Sequence, residues 1–362
     1  MIQLDGTLGE GGGQIVRTAL ALSTLAQQGF NVTNIRKGRP EPGLKMQHVH
    51  CIKALQKLTG AQAEGAELGS TELTFIPQPL KGKSLSIDIE TAGSITLFLQ
   101  AVLLPCCFAD KPTKMEITGG TDVAWAMPMD YFREVLVPHL QRWADIEVKT
   151  QKRGYYPKGN GTATIRIKPR TSRNDFPTLA PFLEQLRKTG PKLELNEQHH
   201  LLYIKGISHA SKSLEEARVA ERQAHAAQQE LAKYDCPISI RSEYADTLSP
   251  GSGITLWAVF SKNKEDLDTS NPIILGADAL GEKGVPAETI GKNAAEKLRA
   301  TIASGAAADA HLTDNLIPWM ALYAPSTLKA EKITPHTTTN IEVVKKFIPA
   351  NFEVKGQIIT SK

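Results

Sequence analysis

The chain of 362 residues is 41% hydrophobic and 22% charged, the composition of an ordinary globular protein long enough for one large domain or two smaller ones. Its 42 basic and 38 acidic side chains leave a net charge of +4, too mild for a protein that coats nucleic acid through a broad basic face. Cys51, Cys106, Cys107 and Cys236 form no CxxC pair, which argues against a zinc site and fits a reducing cytosol with the thiols as small buried hydrophobes.

The opening MIQLDGTLGE has no basic region followed by an apolar stretch, so no secretory signal is expected. "GEGGGQIVRTALALSTL" then runs glycines into a predicted helix, whose free N–H groups and dipole favour an anion. It is neither a Walker loop nor a strict GxGxxG, because Gln14 stands where the third glycine would be. Gln14, Arg17 and Thr18 share a polar stripe beside the apolar Ile15, Ala19 and Leu22. Arg17 is thus near the anion-friendly end, with a solvated arginine as the competing reading. Glu10 reads as a surface carboxylate unless a nucleotide beside it brings a divalent ion. After a strand, Arg36, Lys37 and Arg39 crowd one loop, where guanidinium forks suit a fixed phosphate; a solvated basic turn has the same composition. Gln47 and His48 open the next helix, and His48, sharing a face with Ile52 and Leu55, reads first as a core histidine.

A second unit repeats this layout from "TAGSITLFLQAVLL" through "TKMEITGGTD" to "DIEVKT". Its apolar run is interrupted by Gln100 and Pro105 and falls short of the roughly 20 residues that span a bilayer, so no membrane segment is expected. From about residue 180 to 280 the character changes: a strand "LLYIKGI", a long helix "SLEEARVAERQAHAAQQELAKY", strands "PISIRS" and "ITLWAVFS", and a charged return, "SKNKEDLDTSNP". A third unit follows from "DAHLTDNLIPWMAL" through "LKAEKITPHTTT" to "NFEVKG". The expected fold is therefore α/β (α+β): three repeated α/β units forming a large domain, residues 1–180 and 281–362, with a small α/β domain, 181–280, inserted before the third unit. The repeat aligns three loops, so that Arg36, Arg39, Gly119, Gly120 and His336 are candidates for one common face. Thr313 or Asp314 could be a helix N-cap, and the threonines after His336 could satisfy turn and cap hydrogen bonds as readily as they orient a ligand.

Taken together in order, "LDGTLGEGGGQIVRTALALS", "IRKGRPEPGLKMQH", "ELGSTEL", "TAGSITLFLQAVLLP", "ITGGTDV", "RGYYPKGNG", "GEKGVPAE", "HLTDNLIPWMAL" and "HTTTNIEVV" resemble the RNA 3'-terminal phosphate cyclases nearly end to end. The resemblance implies the same three-repeat fold with an insert, related to the repeats of enolpyruvyl transferases and of a translation initiation factor. It implies ATP-dependent closure of an RNA 3'-phosphate to a 2',3'-cyclic phosphate, with His336 attacking the α-phosphorus of ATP. Gln100 and the segment His311, Leu312, Thr313, Asp314, Asn315 would contact ATP. Arg17, Arg36, Arg39, Gln47 and His48 would handle phosphates of ATP or of the RNA end, and Glu10 a divalent ion such as Mg or Mn. The implied partners are ATP and the RNA 3'-phosphate end, with no membrane and a cytoplasmic location. Two positions depart from the family pattern: Asn160 replaces a glycine of a turn, which a left-handed asparagine can preserve, and His311 stands where tyrosine is usual. The competing functions are a non-catalytic cyclase relative that binds RNA, against which His336 counts, and an enolpyruvyl transferase, which would need no ATP.

Overall fold

A computed structural model describes residues 1–263 and 268–362. The charged return "SKNKEDLDTSNP" lies partly outside the described residues, at 264–267.

The first sheet is built from β1 (Ile2–Asp5), helix α1 (Gln14–Ala26), β2 (Phe30–Thr33), helix α2 (Met46–Thr59), β3 (Gln62–Glu64) and β4 (Leu73–Ile76). Its order is β1-β2-β4-β3, with β1 and β2 parallel across α1 and the remaining pairs antiparallel. The second repeats it: β5 (Ser84–Asp88), α3 (Ile95–Cys106), β6 (Thr113–Gly119), a continuous helix α4 at residues 129–140, β7 (Ala144–Lys152) and β8 (Gly161–Pro169) in the order β5-β6-β8-β7. In β8 the sequence GTATIRIKP buries Gly161, Ala163, Ile165 and Ile167 and turns the residues between them outward, the period-two pattern of a half-buried strand.

Helix α5 (Leu179–Thr189) leads to the short strand β9 (Glu194–Leu195). The inserted sheet follows: β10 (His200–Ser211), helix α6 (Val219–Leu231), β11 (Ile238–Ala245), β12 (Ser252–Ser261) and β13 (Ile273–Leu280), ordered β11-β10-β12-β13. Helix α7 (Ala287–Ala303) packs against α6, so closely that a Cβ on Gly291 would fall 2.0 Å from the Gln223 carbonyl oxygen. The last unit is α8 (Ala310–Leu322), β14 (Ser326–Lys329), α9 (Pro335–Phe347), β15 (Phe352–Lys355) and β16 (Ile358–Ser361). Its sheet order is β15-β16-β14-β9, so β9 is the first strand of the third unit and the insert enters after it.

The three-unit α/β fold with an inserted sheet is thus present, and local elements differ from expectation at three points. The insert's helix starts at Val219, because Arg218 is left-handed at φ 52° and interrupts the stretch predicted from Ser213. The strand expected to end at Ile333 ends at Lys329, because Ala330 leaves the sheet to bridge Ala308. His336 lies inside the first turn of α9 rather than ahead of it, since Pro335 suits a first helical position and Thr334 caps it. Asn160 adopts the left-handed backbone (φ 60°) its turn requires.

Every residue of α1 is buried, polar ones included, because α1 packs between α3 on one side and α9 on the other. The second and third units share one core: Trp143 stacks on Trp319 at 4.7 Å and on Tyr323 at 4.8 Å. Phe347 of α9 meets Phe30 of β2 edge-on at 6.0 Å, tying the third unit to the first. This packing drives polar side chains of α1 into a space walled by α3, α4, α8 and α9.

Candidate active site

Residues of the first turns of α1, α8 and α9 line that space, and Arg17 of α1 reaches His48 in the first turn of α2, so the dipole ends of these helices favour negative charge there. Gly9 and Gly11 turn through left-handed backbone (φ 57° and 58°) to deliver the chain into α1. Gly9 cannot be replaced without displacement, since a Cβ would lie 2.0 Å from the Thr339 hydroxyl on α9.

Gln14 and His336 clasp each other. The Gln14 Nε2 donates to the His336 carbonyl oxygen at 3.1 Å, which fixes the orientation of the amide. The Gln14 Oε1 is thereby turned to the ring and accepts from His336 Nδ1 in a short contact. An amide oxygen only accepts, so in the neutral ring the proton sits on Nδ1 and the lone pair on Nε2. That Nε2 faces Glu10 Oε2 at 3.5 Å, and the ring is 47% exposed, open to an incoming group. Thr18 donates to the Asn340 Oδ1 at 2.8 Å one turn along, holding α1 and α9 in register.

Arg17 is buried, its Nε donating to Gln100 Oε1 at 3.0 Å, while Gln100 Nε2 donates to Asn315 Oδ1 at 3.2 Å. Burial, with like charge from Arg36, brings the Arg17 guanidinium down to about 10. His48 is also buried; it accepts at Nδ1 from the Lys45 backbone N–H at 2.9 Å, so its proton is on Nε2. Burial and the Arg17 charge keep the His48 ring well below the usual histidine range, and therefore neutral. Its Nε2–H and the Arg17 Nη1 stand 3.4 Å apart, donor facing donor, an arrangement that an anion between them would satisfy. Gly13 leaves them room: a Cβ there would fall 2.2 Å from His48 Nε2.

Arg39 lies 3.6 Å from the Glu10 carboxylate and donates to the Glu10 carbonyl oxygen at 3.4 Å. Arg36, on left-handed backbone, donates to the Glu41 carbonyl oxygen at 3.3 Å, and the buried Nε of each arginine has no protein partner. Gln47, half-buried in the first turn of α2, makes no hydrogen bond with these groups among the described residues. Asp314 receives hydrogen bonds from Thr334 (2.8 Å) and Thr337 (2.5 Å), and burial still raises its carboxyl. Asn340 donates to the Asp314 carbonyl oxygen at 2.7 Å, so α8 and α9 are joined at their starts. His311 is exposed, its ring edge-on to Tyr131 at 5.7 Å.

The same residues line one cleft: Gln14, Arg17, Gln100, His311, Asp314, Asn315 and His336 on its polar side, with Leu99, Leu103, Phe132, Leu136 and Trp319 as its apolar floor. Leu312 and Thr313 do not line it; both side chains are buried, and the N-cap of α8 is Asp309, whose Oδ1 accepts from the Leu312 N–H at 3.0 Å, rather than Thr313 or Asp314. The common face predicted for the three loops holds for two of them. Arg39, Glu10 and His336 meet, whereas Gly119 and Gly120 pack on residues 92 and 93, with a Cβ at Gly120 only 2.6 Å from the Ala92 carbonyl oxygen. Sequence reasoning passed over Gln14 as a site residue; its break with the glycine pattern at a helix start was the available signal.

Among the described residues one other cluster has the donors to hold a cation: Asp122, Asp130 and His209. Arg153 already fills that place, 3.2 Å from Asp122 and 2.7 Å from Asp130, and also binds Glu243 of β11. The cluster is a buried joint between the second unit and the insert. Glu10 offers a single carboxylate, 40% exposed, which suits a divalent ion whose other ligands are phosphate oxygens.

The α/β scaffold, the facing donors and the exposed ring nitrogen make this cleft a candidate active site of the phosphate-binding class. A family model described as RNA 3'-terminal phosphate cyclase matches residues 8–354. The chain is 43% identical over 359 residues to the RNA 3'-terminal phosphate cyclase of Pyrococcus furiosus, covering 99% of this chain and 96% of that protein. It is 41% identical over 362 residues to that of Thermococcus onnurineus, again covering 99% and 96%. The chain belongs to the RNA 3'-terminal phosphate cyclase family, enzymes of the ligase type. Among the described residues no helix is long and apolar enough to cross a membrane.

Proposed function

We propose that this enzyme uses ATP to convert an RNA 3'-terminal phosphate to a 2',3'-cyclic phosphodiester through a histidine–AMP intermediate on His336. The observation that carries the assignment is the Gln14 clasp, which leaves the lone pair of His336 on the exposed Nε2. In the first step that nitrogen attacks the α-phosphorus of ATP; the N–P bond forms, the bond to the β-phosphate oxygen breaks, and diphosphate leaves. An oxygen of the RNA 3'-phosphate then attacks the same phosphorus, the N–P bond breaks, and the imidazole is freed. The 2'-hydroxyl finally attacks the RNA phosphorus, AMP departs, and the hydroxyl proton is released.

The apolar floor of the cleft suits adenine, with Gln100, His311, Asp314 and Asn315 at its polar edge. Arg17 and His48 suit one phosphate between their facing donors, and Arg36 and Arg39 suit a second. A divalent ion held by Glu10 would neutralise charge on the triphosphate and the leaving diphosphate. Leu312 and Thr313 contribute by anchoring α8, and Gln47 is left the RNA-end side of the arginine loop. The inserted sheet, β10 to β13, supplies none of these groups, so we assign catalysis to the three-unit domain that surrounds it. We place the protein in the cytoplasm, where its buried thiols, pushed up to about 12 at Cys51 and Cys106, stay reduced and inert.

The test is incubation with α-labelled ATP and a divalent metal. Wild type should acquire an acid-labile, alkali-stable label and His336→Ala should not. The adduct chased with 3'-phosphorylated RNA should yield cyclic ends, and RNA ending in a 3'-hydroxyl should not. Label on the alanine variant would sink the nucleophile assignment; no label on wild type would favour an RNA-binding relative without catalysis.

A further inference from the structure

Among the Phe, Tyr and Trp side chains of the described residues, only Trp125, at 99%, and Tyr156, at 75%, are exposed. Neither position is explained by folding. Trp125 sits on left-handed backbone (φ 67°), which a bulky aromatic seldom adopts, and this backbone turns the ring away from the core. The ring stands at the mouth of the cleft that contains Gln14 and His336. Its loop is bridged to the loop of Tyr156 through Asp122 and Tyr155. Tyr156 is followed two residues on by the exposed Lys158, whose backbone N–H donates to Ser249 at 3.0 Å and so brings in the neighbouring Leu248, 52% exposed. Exposed rings, an apolar shoulder and a lysine are thus carried on joined loops that form one lip beside the cleft.

We propose that this lip is the track of the RNA strand, with the base next to the terminal phosphate stacked on Trp125, a further base on Tyr156, and the intervening backbone phosphate near Lys158. Aromatic faces hold any base by stacking, and a single lysine adds a modest phosphate contact, so the track reads single-strandedness and not sequence. It fits the mild net charge of the chain, since grip comes from stacking and not from a basic face. The proposal rests on the cyclase reading for which end of the strand enters the cleft. The shared chemistry of the ligand is a nucleobase, which ATP could also supply; the enclosed apolar floor is the better place for adenine, and the continuation to Tyr156 and Lys158 favours RNA.

Trp125 can be watched directly, because the other tryptophans, Trp143, Trp257 and Trp319, are 2%, 7% and 4% exposed. Wild type, without ATP, is titrated with a 3'-phosphorylated oligoribonucleotide of about ten nucleotides. The red-shifted emission of Trp125 should be quenched, the change should vanish in Trp125→Phe, and Tyr156→Ala should weaken RNA binding about tenfold. Quenching by ATP alone and not by RNA would assign the ring to adenine and overturn the track. So would unquenched emission with both, or undiminished RNA binding by Tyr156→Ala. Labelling with α-labelled ATP is run on the same preparations. Protein that takes label but shows no quenching defeats the track alone; protein that is quenched by RNA but takes no label defeats the cyclase reading alone.

Discussion

Gln14 and His336 hold each other through two hydrogen bonds, one fixing the amide and the other fixing the imidazole tautomer. The amide is a positioning group: it touches no reacting atom but decides which ring nitrogen carries the lone pair. Gln14→Leu should slow adduct formation on His336 about 10–100-fold, the range for lost orienting partners of a functional histidine. A quench-flow measurement with labelled ATP checks it. An unchanged rate would show that the ring needs no orientation from α1.

Arg17 is buried without a carboxylate partner, and burial lowers it to about 10. Its charge opposes folding, and the proposed phosphate site would use it. Arg17→Met should therefore keep or raise the melting temperature while reducing adenylylation more than about 100-fold, a trade between stability and function. Parallel melting curves and labelling assays test it; a large fall in melting temperature would contradict the claim that the charge is a cost to the fold.

Gly13→Ala probes the space between His48 and Arg17. The backbone, at φ −67°, accepts alanine, so the effect comes from the Cβ, 2.2 Å from His48 Nε2 and 3.1 Å from Arg17 Nη1. His48 is held by the Lys45 N–H and has little freedom to withdraw. The expected outcome is at least a tenfold rise in the KM for ATP or RNA, about 1.4 kcal/mol of binding, measured by initial rates.

Arg153 neutralises Asp122 and Asp130 in the joint to the insert, and His209 and Arg153 together hold the Asp122 carboxyl below the ordinary range despite its burial. Arg153→Met leaves Asp122 with His209 and Asp130 with Arg133 but removes the guanidinium that bridges the two buried carboxylates. It should destabilise the protein by about 3–5 kcal/mol, checked by denaturant unfolding.

His139 is buried and brought down to about 3, chiefly by desolvation and then by Arg142. Its folded form resists a proton that the unfolded chain takes up near pH 6.5, so stability is intact above that pH and falls as pH drops from 6.5 towards 3. The loss is about 1.4 kcal/mol per pH unit within the window. His139→Gln should show a shallower decline in stability between pH 6.5 and 4. Equal slopes for the two proteins would remove His139 from the acid response.

Much of this was legible in the sequence because it is local. Periodicity gave the repeated units and the inserted sheet, and the motif order gave the family. The left-handed turn at Asn160 followed from its own chemistry. Boundaries set by neighbours were not legible: β9 is two residues long and is a strand only because β14 pairs with it, so the insert's point of entry was out of reach.

The site divides in the same way. Sequence determined which side chains are present and that arginines, histidines and glycine turns could serve phosphate. Only the tertiary structure decided their states, because burial and orientation depend on contacts hundreds of residues apart. Packing α1 between α3 and α9 stripped water from Arg17 and set Gln14 against His336, 322 positions away in the chain. The same packing sealed Leu312 and Thr313 in the core while leaving His311, beside them, open at the cleft.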